Sequence, residues 1–189
     1  MPRSHREDDT RLELNVRIDL VPWDPGWPAL YEEEKRRIRR CLSHDALLIE
    51  HVGSTAVPGL AAKPIIDIVL AVADSADEPS YLPRLESSGY SLKLREPEWH
   101  EHRLLKGPDN DINLHVFSDG CPEINRMVLF RDRLRASHED LDRYAQAKAR
   151  LAREEWPSVP DYADAKSEIV ASILEDAGKS ARPETEEDH

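Results

Sequence analysis

Residues 64–73 read PIIDIVLAVA, an apolar run of β-branched and aliphatic side chains interrupted by one carboxylate, Asp67. Its length and composition predict a central strand. Side chains alternate across a strand, so Ile65, Asp67, Val69 and Ala71 take one face, while Ile66, Ile68, Leu70 and Val72 take the other, buried one. ALLIEHV predicts a shorter strand just before it; YSLKLR and EHRLLKG alternate as strands do, and GPDND turns the chain into a further strand, INLHVF. Helical spacing appears elsewhere. A helix is expected from about Pro28 to Ser43, with Leu30, Ile38 and Leu42 as its buried stripe and acids leading bases in the sense that suits the helix dipole. PSYLPRLESSGY predicts a short helix ending at Gly89. Beyond Cys121 the pattern predicts two helices broken near Ser137 and a third through VPDYADAKSEIVASILEDA, with Leu141, Leu151, Ile169 and Ile173 in the core. Strands in the middle and helices in the last third describe an α+β chain, or an α/β chain with a helical cap, and not a repeating βαβ chain. Trp23, Trp27, Trp99 and Trp156 are expected to pack, with Trp23 and Trp27 also candidates for a pocket rim.

Length changes this picture little: 189 residues suit one domain, or one with a helical extension. Residues 1–15 and 177–189 are charged and without sustained periodicity, so they are expected to be flexible tails around a domain at 16–176, its helical part at about 122–176. The net charge of −12 argues against extensive nucleic-acid contact, which needs many cations, but leaves room for a local basic pocket around one phosphorylated ligand. No apolar stretch is long enough to span a membrane and the polar start is not a secretory signal, so no membrane contact and a cytoplasmic location are expected. Cys41 and Cys121 show no metal-type spacing and read as free thiols.

Asp67 is the chemical question. A carboxylate in an apolar strand is costly to bury alone, so it sits at an exposed strand end, is paired (with Lys63, for example), or holds a metal. Gly53-Ser54 stands about a dozen residues earlier. Glycine lets the backbone approach a ligand closely, and the hydroxyls of Ser54 and Thr55 can bond phosphate oxygens.

The stretch IEHVGSTAVPGLAAKPIIDIVLAV closely resembles the signature of the GrpB family, a branch of the polymerase-beta-like nucleotidyltransferase superfamily. The resemblance continues through HRLLKGP, NLHVF, LFRDRLR, YAQAK and YADAKSEIV, in order, over about residues 18–175. It implies an α+β fold: a small mixed sheet of nucleotidyltransferase type with flanking helices and a C-terminal helical subdomain. It also implies transfer of a nucleotidyl group from a nucleoside triphosphate to an unknown acceptor. In that superfamily Gly-Ser contacts phosphates, and an Asp-x-Asp pair with a third carboxylate holds divalent metal. Carried over, Gly53 and Ser54 match the phosphate motif and Asp67 the first acid, while Val69 stands at the second and His115 is the candidate for the third. Metal, catalytic and phosphate roles follow from the resemblance. Asp67, His115 and His51 are the expected ligands of Mg or Mn or, given the imidazoles, of a transition metal. Asp67 and His115 are the expected catalytic pair, with Glu50 and His102 as further members of a polar cluster and His100 as a surface residue. Tyr144 and Lys148, like Tyr162 and Lys166, are spaced i,i+4 and share a helix face. Lys63, Lys148, Lys166 and Arg131 are the expected phosphate partners, against the alternative of ordinary ion pairs on solvated faces. Two other functions stay open: a degenerate domain that binds a nucleotide or a coenzyme-A-like ligand, because family domains resemble a module fused to dephospho-coenzyme A kinases, and a metal-dependent hydrolase.

Overall fold

The computed structural model of the protein describes residues 17–109 and 111–180. The tail expected at 1–15 lies outside these residues, as does the part of the tail expected at 177–189 that follows Ser180, whereas residues 177–180 of it belong to the last helix. Five strands form one mixed sheet: β1 (Leu48–Val52), β2 (Ile66–Val72), β3 (Ser91–Glu96), β4 (His102–Lys106) and β5 (Ile112–Ser118). Their order is β1-β2-β5-β4-β3, and β2 and β5 run parallel while every other pair is antiparallel. The helices are α1 (Trp27–Leu42), α2 (Leu82–Ser87), α3 (Pro122–Ala136), α4 (His138–Leu151), α5 (Val159–Asp164) and α6 (Ser167–Ser180). This is the expected α+β architecture with helices gathered at the C-terminal end.

Alternation in β2 divides the core. Ile66, Ile68, Leu70 and Val72 face α1 and α2 in one apolar cluster, while Val69 and Ala71 pack with Phe117 and with Ile124 of α3 on the other side. Asp67, second in its strand, is the polar exception on that second face and lies at the strand's open end. A third cluster joins Val57 and Leu60, after the Gly53 turn, to Leu134, Tyr144 and Ile173, so α3, α4 and α6 are anchored against the turn.

Two local expectations are revised. The buried stripe of α1 is Trp27, Tyr31, Glu34, Ile38 and Leu42, and Leu30 is 43% exposed. The stripe is hidden in the sequence because an acid occupies it: Glu34 accepts a hydrogen bond from the Tyr90 hydroxyl of the neighbouring layer. The single helix expected over VPDYADAKSEIVASILEDA is two, α5 and α6, parted around Ala165 and Lys166, and α6 continues to Ser180. No glycine or proline marks that break. His100 is exposed, as expected, and lies in the turn between β3 and β4, where it and Glu101 take positive φ values of 57° and 50°. The break near Ser137 is where expected, and its hydroxyl caps α4 by accepting from the Asp140 amide at 3.2 Å. Among the described residues no helix is long and apolar enough to cross a membrane.

Candidate functional site

Asp67 is positioned by three backbone elements. Antiparallel pairing sets it beside Val52, so the chain leaving β1 turns directly over its carboxylate. That turn is Gly53, at φ 72°, where an added Cβ would lie 2.6 Å from Asp67 Oδ2. Glycine is needed here twice, for the backbone conformation and for the close approach. Parallel pairing with β5 brings Asn113 into register with Asp67 and His115 two residues further along the same face. Asn113 Nδ2 donates to Asp67 Oδ1 at 2.8 Å, and His115 Nε2 lies 3.5 Å from the same oxygen. Burial pulls the Asp67 carboxyl upward, but the hydrogen bonds from His115 and Asn113 and the charge of Lys166 outweigh it, so the group stays below its ordinary range. Behind His115 a polar chain runs to the surface: its Nδ1 is 3.1 Å from His102 Nε2, and His102 Nδ1 is 2.8 Å from Glu96. His102 is buried, which pushes it down to about 4.

Two chambers meet at Asp67, His115, Ala163 and Lys166. The first, about 270 Å³, is cationic, with Ser54, Lys63, Lys148, Tyr162 and Lys166 in its wall. Lys148 Nζ donates to Ser54 Oγ at 2.9 Å and to the Ala61 carbonyl at 2.6 Å. The i,i+4 spacing places each lysine over its tyrosine, Lys148 at 5.5 Å from the Tyr144 ring centre and Lys166 at 4.4 Å from that of Tyr162. Burial, reinforced by the neighbouring lysines, lowers Lys148 to about 7 and Lys166 to about 8; Lys63 is lowered as well, mainly by burial. The Tyr162 hydroxyl is buried and has no hydrogen-bond partner among the described residues. The second chamber, about 420 Å³, is bounded by Trp99, Met127, Phe130, Tyr144 and Val170, with Arg126 at its side.

The sequence-predicted residues separate into those the fold gathers and those it does not. Gly53, Ser54, Lys63, Asp67, His115, Lys148 and Lys166 all line this double cleft. Thr55 lines it too, but its hydroxyl is committed to the Ile65 carbonyl and to His51 Nε2. His51 does not join Asp67. It pairs with Ile68, so alternation sends its ring to the opposite face, where it stacks on Tyr31 at 4.8 Å and burial lowers it to about 4. Arg131 lines neither chamber: it donates to Glu50 at 2.6 Å, to the His51 carbonyl at 2.8 Å and to Asp132 at 2.8 Å. Trp23 and Trp27 do not form the rim either: Trp27 is buried, and Trp23 Nε1 donates to the Thr55 carbonyl. Sequence reasoning passed over Trp99, Asn113 and the Tyr162 hydroxyl as site groups. Only for Asn113 was there a signal, its place on the His115 face of the last strand.

The donor set does not fit the divalent metal that the resemblance implies. Among the described residues no group of three or more His, Cys, Asp or Glu is placed to hold one. Val69, at the second acid's position, is 0% exposed inside an apolar cluster. Glu50, its cross-strand neighbour, is bound to Arg131. Asp67 is left with Asn113, His115 and a nearby lysine, a surrounding that satisfies a carboxylate without a metal ion.

The chain is 59% identical over 163 residues to a UPF0157 protein of Halalkalibacterium halodurans, covering 86% of this chain and 84% of that one. It superposes on the crystal structure of the conserved protein GrpB from Enterococcus faecalis with a TM-score of 0.72 at 31% identity, over 86% of this chain and 98% of that chain. A more distant overlay, TM-score 0.43 at 14% identity, is with the Cid1 poly(U) polymerase, over 68% of this chain and 45% of that one. The GrpB protein pattern matches residues 17–176, and the chain belongs to the GrpB family.

Proposed function

We propose that the cleft binds the phosphate groups of a nucleotide-class ligand through lysines rather than through a protein-held metal. The observation that carries this reading is the convergence of Lys63, Lys148 and Lys166 with the Ser54 hydroxyl on one chamber, in a chain whose net charge is −12. Buried lysines that depress one another are destabilising unless an anion joins them. Asp67 alone does not neutralise three cations, and a phosphate does so while accepting from Ser54 and Tyr162.

The test is thermal unfolding with inorganic tripolyphosphate in the presence of EDTA. A ligand at ~100 times its Kd adds about 2.7 kcal/mol of stability. A rise in melting temperature that is insensitive to EDTA and reduced by Lys166→Gln is expected. No shift with tripolyphosphate, ATP or coenzyme A at millimolar concentration would remove the reading.

Nucleotidyl transfer is a second reading, favoured by the Asp67–His115 pair at the junction of the chambers. There an acceptor hydroxyl gives its proton to one of these two groups as its oxygen attacks the α-phosphorus. Pyrophosphate leaves against the lysines. Incubation with α-labelled ATP and cell extract decides it. A labelled acceptor supports transfer, whereas ATP binding with no labelled product leaves a nucleotide-binding protein.

A further inference from the structure

Resting on the phosphate reading above, we infer that the second chamber receives the flat ring or apolar body of the same ligand, so the ligand is an organic phosphate and not inorganic polyphosphate. Continuity comes first: the chambers share Asp67, His115, Ala163 and Lys166, so a molecule held by its phosphates in one enters the other without leaving the cleft. Across that boundary the lysines give way to large aromatic side chains. The first chamber carries Lys63, Lys148 and Lys166 with the Ser54 and Tyr162 side chains; the second adds Trp99, Met127, Phe130 and Val170 alongside Glu123, Asp164 and Ser167, and Arg126 there is paired with Glu123 at 2.9 Å. A space of about 420 Å³ with Trp99 and Phe130 in its wall, beside one that gathers three lysines, suits a ligand that joins a phosphate to a ring or apolar body.

The placement of Trp99 is the most telling detail. The residue is 39% exposed and lines the second chamber, with its ring set edge-on against His102 at 5.1 Å and Phe117 at 5.7 Å. The two residues after it, His100 and Glu101, hold positive φ without being glycine. Consecutive non-glycine residues in that region are uncommon, and such strain concentrates at ligand clamps. A second observation points to the same ligand from the other side: Tyr162 lines the first chamber, and its hydroxyl is buried with no hydrogen-bond partner among the described residues. It supplies the hydrogen bond that a phosphate or a bridging oxygen would complete. Asp67, at the junction, then faces the middle of the ligand, where a sugar or chain hydroxyl can donate to its carboxylate.

Calorimetric titration of the full chain with tripolyphosphate, ATP and coenzyme A separates the possibilities. ATP or coenzyme A is expected to bind at least about ten-fold tighter than tripolyphosphate, and which of the two does so names the body. Trp99→Ala is expected to lower the affinity for the favoured ligand about ten-fold and to leave that for tripolyphosphate unchanged. Met127→Glu, which places a like charge in the second chamber only, is expected to do the same, and circular dichroism checks that both variants fold. Equal affinity for all three ligands, or organic-phosphate binding indifferent to Trp99 and Met127, overturns the inference while the phosphate reading stands. Failure of tripolyphosphate and both organic ligands to bind overturns the phosphate reading itself.

Discussion

Gly53 and Lys148 show how single residues set the cleft. Gly53 combines a left-handed backbone with a carboxylate against its α-carbon. Gly53→Ala is expected to cost about 1–3 kcal/mol in denaturant unfolding, because it adds both φ strain and a clash with Asp67. An unchanged midpoint would mean that the turn re-forms another way. Lys148 has the opposite character: it weakens the fold to serve the site. Its folded value is about 7 against an ordinary 10.5, so the unfolded chain holds more protons between those values and stability rises with pH through that window. Lys148→Met is therefore expected to raise stability by roughly 1–4 kcal/mol below pH ~7, with the gain fading towards pH ~10, and to abolish phosphate binding. Melting curves across this range check it; a gain independent of pH would contradict it. Both residues are conspicuous in the sequence, the glycine through its motif and the lysine through its spacing from Tyr144. The burial that gives each its effect is not, because it depends on segments remote in the chain.

At the scale of elements, register decides which residues act together. Pairing Val52 with Asp67 and Asp67 with Asn113 builds the acid's surroundings from three strands. The same pairing sends His51 to the far face. Helix α3 contributes differently: Arg131 reaches back to β1 and holds both the Glu50 carboxylate and the His51 carbonyl. Arg131→Met is expected to lower stability by about 1–3 kcal/mol, since it leaves a carbonyl and a carboxylate without their donor, while tripolyphosphate affinity stays as in the unaltered protein. Calorimetry beside denaturant unfolding tests both halves, and a large loss of affinity would return Arg131 to the phosphate site. Strand identity was legible because alternation is local. The pairing of Arg131 with β1 was not, because side chains of either charge occur on both helix faces and only packing selects the contact. The division of the last helix into α5 and α6 was equally hidden.

For the whole molecule, charge is distributed against its total. The chain is strongly acidic, yet Lys63, Lys148 and Lys166 share one chamber, faced by Asp67, Tyr144, Tyr162 and Lys106. Lys148 and Lys166 titrate at about 7 and about 8 in the free protein, and an anion favours their charged forms. Binding is thus coupled to proton uptake. Tripolyphosphate affinity is expected to fall as pH rises from about 7.5 to about 9.5, with the heat of binding depending on the ionisation enthalpy of the buffer. A flat profile would mean that the lysines already carry full charge before the ligand arrives.

By itself, the order of residues determined the strands, most of the helices, the Gly53-Ser54 turn, the lone acid and the two lysine–tyrosine pairs. Each of these is written in spacing over a few residues, where backbone periodicity alone dictates which side chains share a face. The tertiary structure decided the rest: the parallel alignment that gives Asp67 its amide and imidazole neighbours, the removal of His51 and Arg131 from the site, and the position of Trp99 over a second chamber. These depend on register and on contacts between distant segments, which are settled only when whole faces pack, because many local patterns are compatible with each arrangement and burial selects one.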